Sequence, residues 1–187
     1  MQKCENNTTA PDDAMEVQSS KTKSKKFLTF QCGQQMFGVD ITEVRQIIEL
    51  PEFTPLPESP EYIKGIVCMH GEAVPVMDLN LRLNQLETIS GERTCVVVFT
   101  LEGRSFGVIV DGVENVEDIL DDAVLPPPGQ KESGIDYLLG VVNRNPVVLL
   151  VNAYFFISAD DIERLSQITD TDGWTQNKDE HTGGIEK

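Results

Sequence analysis

The sequence predicts an all-β fold with short helices, arranged as two small five-stranded barrels. The middle of the chain is written twice: Phe37-Gly38-Val39 recurs as Phe106-Gly107-Val108, and Tyr62-Ile63-Lys64-Gly65-Ile66-Val67 recurs as Tyr137-Leu138-Leu139-Gly140-Val141-Val142. Each copy then runs into a short apolar stretch ending in a capping residue, Val74 to Asp78 and Val147 to Asn152. Such self-similarity predicts two similar modules. Short apolar runs at even spacing, bounded by Gly and Pro, favour small barrels over an α/β sheet.

Taken in order, Phe27 to Cys32 and Met36 to Val39 flank Gly33-Gln34-Gln35 as an opening hairpin. Ile63 to Met69 and Ala73 to Met77 flank His70-Gly71-Glu72 as a second. Thr94 to Leu101 and Ser105 to Val110 flank Glu102-Gly103, and Leu138 to Val142 and Val147 to Val151 flank Asn143-Arg144-Asn145. Ser59-Pro60-Glu61 has the N-cap and first-turn proline of a single helical turn. Asp78 and Asn152 can each cap a short helix. Ser158 with Asp161 can cap a terminal one over Ala159 to Gln167, with Ile162, Leu165 and Ile168 on one face.

Residues 1–24 are nearly free of large apolar side chains and rich in Asn, Thr, Ser, Lys and Asp, so they cannot offset the entropy of ordering and are expected to be disordered. Residues 169–187 form a similar tail with Trp174 and Ile185 as its large apolar groups, which leaves 25–168 as the folded domain. A formal charge of −16 argues against a nucleic-acid partner, because the phosphate backbone requires a positive footprint. The basic group Lys21, Lys23, Lys25 and Lys26 reads as the solvated flank of the first strand. No apolar run approaches the roughly 18 residues of a membrane span, and no signal-peptide core is present, so a soluble cytoplasmic protein without direct membrane insertion is expected. Cys4, Cys32, Cys68 and Cys95 lack Cys-x-x-Cys spacing, and three of them lie in apolar runs, so buried, reduced thiols are expected.

From Phe27 to about Leu165 the chain resembles the CheW family of bacterial chemotaxis adaptors. The resemblance is carried by Phe37-Gly38-Val39-Asp40-Ile41 with Val44, Thr54-Pro55-Leu56-Pro57, and Pro60-Glu61-Tyr62-Ile63-Lys64-Gly65. It continues through Gly71, Val74-Pro75-Val76-Met77-Asp78-Leu79, Gly107-Val108-Ile109-Val110-Asp111-Gly112-Val113 and Tyr137-Leu138-Leu139-Gly140. It implies SH3-like barrels forming one CheW-like domain, with an apolar groove between them. It also implies a non-enzymatic coupling role, in which a CheA-type histidine kinase is held through its regulatory domain to the cytoplasmic tips of methyl-accepting chemoreceptors in membrane-associated arrays.

On the resemblance, the kinase-binding surface includes Val44, Phe53, Gly65 and Gly71, and the receptor-binding surface includes Ile41, Gln46, Ile47, His70 and Val98. Phe53, between polar and proline residues, fits an exposed anchor, and glycines let backbones approach closely. The competing reading gives Gly65 and Gly71 to strand and turn geometry and Ile41, Ile47 and Val98 to ordinary core. The chain departs from the family where a Glu and an Arg are thought to pair: those positions are Gln46 and His70. Losing both partners together strands no charge, a Gln46 to His70 hydrogen bond could replace the pair, and altered receptor coupling is the functional expectation. The competing reading is neutral drift, since a surface ion pair contributes little. The loop Gly129 to Gly134 is polar where ring-forming members carry an apolar contact.

An enzyme finds little support. One of the two histidines, His181, lies in the tail, and Cys68 with His70 supplies two ligands where a structural zinc site takes four. Asp40, Asp78 and Asp111 fit caps and Asx turns better than acid–base roles. No phosphate loop or nucleophile motif is present, so no metal or other cofactor is expected. The divergent alternative is an interaction module of a non-chemotaxis pathway, such as pilus motility or development.

Overall fold

The computed structural model describes residues 23–57, 59–83, 85–127, 137–158 and 161. The expected terminal helix, apart from Asp161, residues 1–22 and 169–187 of the expected tails, and the polar 129–134 loop lie outside them, while Ser24 already belongs to the first strand. Among the described residues, two antiparallel hairpins open each half of the fold: β1 (Ser24–Cys32) with β2 (Gln35–Asp40), and β6 (Cys95–Leu101) with β7 (Arg104–Val110). Two more close it: β4 (Ile63–Met69) with β5 (Glu72–Asp78), and β10 (Leu138–Val142) with β11 (Val148–Val151). All four were legible as apolar runs around turn residues. Strands β3 (Val44–Glu49), β8 (Gly112–Leu120) and β9 (Val124–Leu125) were not, because β8 carries Glu, Asn and Asp over a mostly exposed length and shows little period-2 signal.

The repeats do not each make their own barrel in succession. One sheet runs β8-β1-β2-β11-β10-β9 and the other β3-β6-β7-β5-β4, so the opening hairpin of each copy is built into the barrel of the other. The joints are two parallel pairings, β2 with β11 and β5 with β7. The same hydrogen bond recurs in both copies: Asp78 N–H donates to Tyr62 C=O at 2.8 Å, and Asn152 N–H to Tyr137 C=O at 3.0 Å.

Three clusters form the core. Val74, Val76, Val96, Val98 and Ile109 form one within the β3–β7 sheet, and Phe27, Met36, Ile119, Val148 and Leu150 form another within the other sheet. The largest cluster is shared, with Phe30, Phe37 and Val39 on one sheet and Val97, Phe99, Phe106 and Val110 on the other. Phe156 lies between the sheets, its ring centroid 5.0 Å from Phe99 and 6.0 Å from Phe30. Burying such a ring contributes roughly 1.5–3 kcal/mol relative to exposure, so the shared cluster binds the two barrels into one unit.

Local expectations divide. Asp78 caps α1 (Leu79–Arg82) through Asn80 N–H at 2.9 Å and Leu81 N–H at 3.3 Å. Ser158 and Asp161 bond reciprocally: Ser158 Oγ donates to Asp161 Oδ2 at 2.6 Å and accepts from Asp161 N–H at 3.2 Å. Residues 59–61 are no helix; Ser59 Oγ donates back to Leu56 C=O at 2.9 Å, and Ile63 N–H closes a turn on Pro60 C=O at 2.8 Å. The 3-10 turn Ala153–Phe155 follows Asn152, but its side-chain cap is Glu43, which accepts from Ala153 N–H at 2.8 Å. Burial, opposed by that N–H and reinforced by Asp40, pushes the Glu43 pKa up. Of the thiols expected to be buried, Cys32 is, Cys95 is only half-buried, and Cys68 is exposed because it sits on the outward side of β4 near its end. Burial, with Asp111 and Asp78 nearby, pushes the Cys32 thiol far up, which keeps it protonated and inert.

Candidate functional site: partner-facing surfaces of the β3–β7 barrel

Strand β3 follows the 3-10 turn Ile41–Glu43, which Asp40 caps by accepting from Thr42 N–H at 2.9 Å. Along β3, half-buried and exposed residues alternate. Ile47 is 44% exposed, while Ile41 and Val44 pack against the edge of the shared core. Gln46 turns toward the β4–β5 turn.

The expected Gln46–His70 hydrogen bond is replaced by another contact: Gln46 Nε2 lies 3.9 Å from Met69 Sδ, a weak partner. His70 points into solvent from a two-residue turn with φ of 52° at His70 and 83° at Gly71. Positive φ at both central residues is the type I′ arrangement that matches strand twist, and Glu102-Gly103 repeats it with φ of 52° and 78°. The ion pair on this side of the barrel is formed by neighbouring residues. Arg45 Nη1 donates to Glu72 Oε2 at 2.6 Å and to Ser105 Oγ at 2.5 Å, spanning β3, β5 and β7. Burial would raise the Glu72 pKa, but the bonds from Arg45 and Ser105 and the Arg45 charge outweigh it and hold it below the usual carboxylate range.

Val98 requires correction as a contact residue. It is fully buried in the β3–β7 barrel, because alternation along β6 sends Val96 and Val98 inward and Val97 to the shared core. Val97 is also the residue that pairs with Ile47 across β3 and β6. The signal was weak because Val96-Val97-Val98-Phe99 is apolar throughout.

Among the kinase-facing candidates, Phe53 is half-buried against the barrel interior rather than standing out as an anchor. It adjoins Gly65: a Cβ built on Gly65 would lie 3.2 Å from Phe53 Cβ and clash with the Thr54 carbonyl. Thr54 and Ile66 exchange both backbone hydrogen bonds there, at 2.9 and 2.8 Å, which closes the barrel. Gly71 has nothing within 4 Å of a built Cβ and stands in the open. The structure thus brings Phe53 and Gly65 together, and Gln46 to the β4–β5 turn, while Val98 is removed from any surface.

One further site was not anticipated as a unit. Asp78 accepts from Thr88 N–H at 2.9 Å and Thr88 Oγ at 2.8 Å. Asn80 Nδ2 donates to Thr88 Oγ1 at 2.9 Å and Asp111 Oδ1 at 3.2 Å, and Asn80 Oδ1 accepts from Cys32 Sγ at 2.8 Å. This partly buried network ties both sheets together. Among the described residues no cluster of His, Cys, Asp or Glu is arranged to hold a metal ion.

The CheW-like domain family matches residues 26–160. The chain is 31% identical over 152 residues to the chemotaxis protein CheW of Klebsiella aerogenes, covering 80% of this chain and 92% of that protein. It is 33% identical over 136 residues to protein FrzA of Myxococcus xanthus, covering 73% and 84% respectively. The scaffolding protein TtCheW of Thermoanaerobacter tengcongensis shares the fold, with a TM-score of 0.65 at 24% identity over 74% of this chain and 96% of that one. With nearly the whole folded region matched, and with its repeated hairpins and closing glycines in place, the chain belongs to the CheW family.

Proposed function

We propose that this chain is a non-enzymatic adaptor that couples chemoreceptors to a CheA-type histidine kinase. The observation that carries the proposal is the match across 92% of the Klebsiella chemotaxis protein CheW, which includes the segments that build β3 and the β4–β5 turn. The kinase regulatory domain contacts the surface around Val44, Phe53 and Gly65, with Gly71 at its rim. The cytoplasmic receptor tip, a helical hairpin, lies along Ile41, Gln46, Ile47 and the His70 turn. Val97, the cross-strand neighbour of Ile47 on the same face of the sheet, supports it from the side.

The adaptor works in the cytoplasm and is recruited to membrane-associated arrays by these contacts. Among the described residues no helix is long and apolar enough to cross a membrane. Coupling of this kind needs shape and apolar area rather than catalytic groups, which fits the exposed Ile47.

The second reading, an adaptor for a non-chemotaxis pathway with altered receptor coupling, is favoured by Gln46 and His70 together with the 33% identity to FrzA. Restoring Gln46→Glu with His70→Arg and titrating the organism's own receptor fragment separates the two. Altered affinity supports specialised coupling, and unchanged affinity assigns the swap to drift.

A further inference from the structure

The segment between α1 and β6 displays two large apolar side chains on a fixed backbone. Leu86 is 90% exposed and Ile89 is 89% exposed. A mobile loop could fold such side chains inward, but this one is pinned. Asp78 holds Thr88 by backbone and side chain, and Thr94 Oγ1 accepts from Gly91 N–H at 2.9 Å while Thr94 N–H donates to Gly91 C=O at 3.1 Å. Thr94 itself is buried. A pre-organised apolar display loses little entropy on binding.

Beside the loop lies an open cleft of about 790 Å³. Its far wall is the β1–β2 turn of the other sheet, so the cleft spans both barrels. Its lining includes the amides of Gln34 and Gln85, which can donate to or accept from a peptide backbone. Among the described residues, the charged ones lining it, Glu87 and Asp111, are both acidic. Glu87 pairs with Lys64 but keeps 59% of its side chain exposed. Anions are therefore repelled, and a cation from outside competes with Lys64 for Glu87.

We propose that the cleft between the 85–89 loop and the β1–β2 turn binds a short protein segment in which a cationic side chain is flanked by aliphatic ones. The cation pairs with Glu87, while Asp111, whose oxygens already accept from Gly33 N–H and Asn80 Nδ2, adds negative charge behind it, and the aliphatic groups pack on Leu86 and Ile89. The site is separate from the residues assigned to kinase and receptor, and it does not depend on those assignments.

The test is amide NMR on the full 15N-labelled chain, titrated with acetyl-Leu-Arg-Ile-amide and, separately, acetyl-Leu-Glu-Ile-amide. Saturable shifts at Gly33, Gln34, Gln85 and Leu86 are expected with the arginine peptide. The glutamate peptide should bind at least about tenfold more weakly, and Leu86→Ser with Ile89→Ser should weaken the arginine peptide about tenfold or more. Lys64→Gln should strengthen it by removing the competitor. Because Leu86 and Ile89 are exposed, the double variant should keep the native spectrum elsewhere. Equal binding of the two peptides, shifts confined to other surfaces, undiminished binding by the double variant, or no shift up to about 10 mM peptide would each overturn the proposal.

Discussion

Gly65 lies so close to the carbonyl of Thr54 that no side chain fits between them. The contact closes the β3–β7 barrel, and Gly65 holds a φ of 144° that side-chain-bearing residues rarely adopt. The second copy uses the same device: a Cβ on Gly140 would clash with Val124 and lie 3.0 Å from the Leu125 carbonyl. The glycine repeated in the two Tyr-x-x-Gly stretches is thus required by barrel closure whether or not a partner also touches it.

Gly65→Ala should therefore cost about 2 kcal/mol or more in urea unfolding, since backbone rather than a flexible side chain blocks the new methyl. Gly71→Ala should cost about 1 kcal/mol, from its positive φ alone. Equal losses would contradict the closure role. The contrast also matters for binding work, because of the two glycines Gly71 can be changed with the smaller cost to folding.

The Asp78 network makes a second expectation. Asp78 is 1% exposed and holds the start of α1 and Thr88 together. Asp78→Ala should destabilise by about 2 kcal/mol, because it removes an N-cap, strands the buried Asn80 N–H and loses the half-buried bonds to Thr88. Faster hydrogen exchange at the Thr88 and Asn80 amides should accompany it. Unchanged protection there would show that the loop is held by something else.

Ile47 and Val97 separate surface from support. Ile47→Ser should leave stability within about 1 kcal/mol and weaken receptor-fragment binding, because the side chain is exposed. Val97→Ala should cost about 2 kcal/mol from the shared core. Binding indifferent to Ile47→Ser would remove β3 from the receptor surface.

Asp161 gives a pH dependence with a definite sign. Burial raises its pKa, but the bonds from the Ser158 and Tyr62 hydroxyls outweigh that and hold it below the ordinary value. A depressed folded pKa means stability that is present above the unfolded value and lost as pH falls through the folded one. The stability gap between the native chain and Asp161→Asn should thus be full at neutral pH and close in strong acid. A gap independent of pH would contradict the assignment.

What the sequence made legible was local. Hairpins such as Phe99–Phe106 announce themselves by apolar runs around Glu102-Gly103, because the turn chemistry and the strands it joins are adjacent in the chain. The exchange of hairpins was hidden, since it rests on the parallel pairings of Phe37 with Leu149 and Gly107 with Val76, which leave no local pattern. Val98 was assigned to a surface because an apolar run conceals which face each residue takes, and a one-residue slip reverses it. Family resemblance singled out Gln46 and His70, which lie on β3 and in the β4–β5 turn, but it could not show that Arg45 and Glu72 form an ion pair there.

The most direct test of the central claim is titration calorimetry of the full chain against the regulatory domain of its own CheA-type kinase and, separately, against a receptor-tip fragment. The account expects saturable binding to both, with Ile47→Ser weakening only the receptor fragment. Binding to neither would contradict a coupling role and mean that the fold serves another purpose.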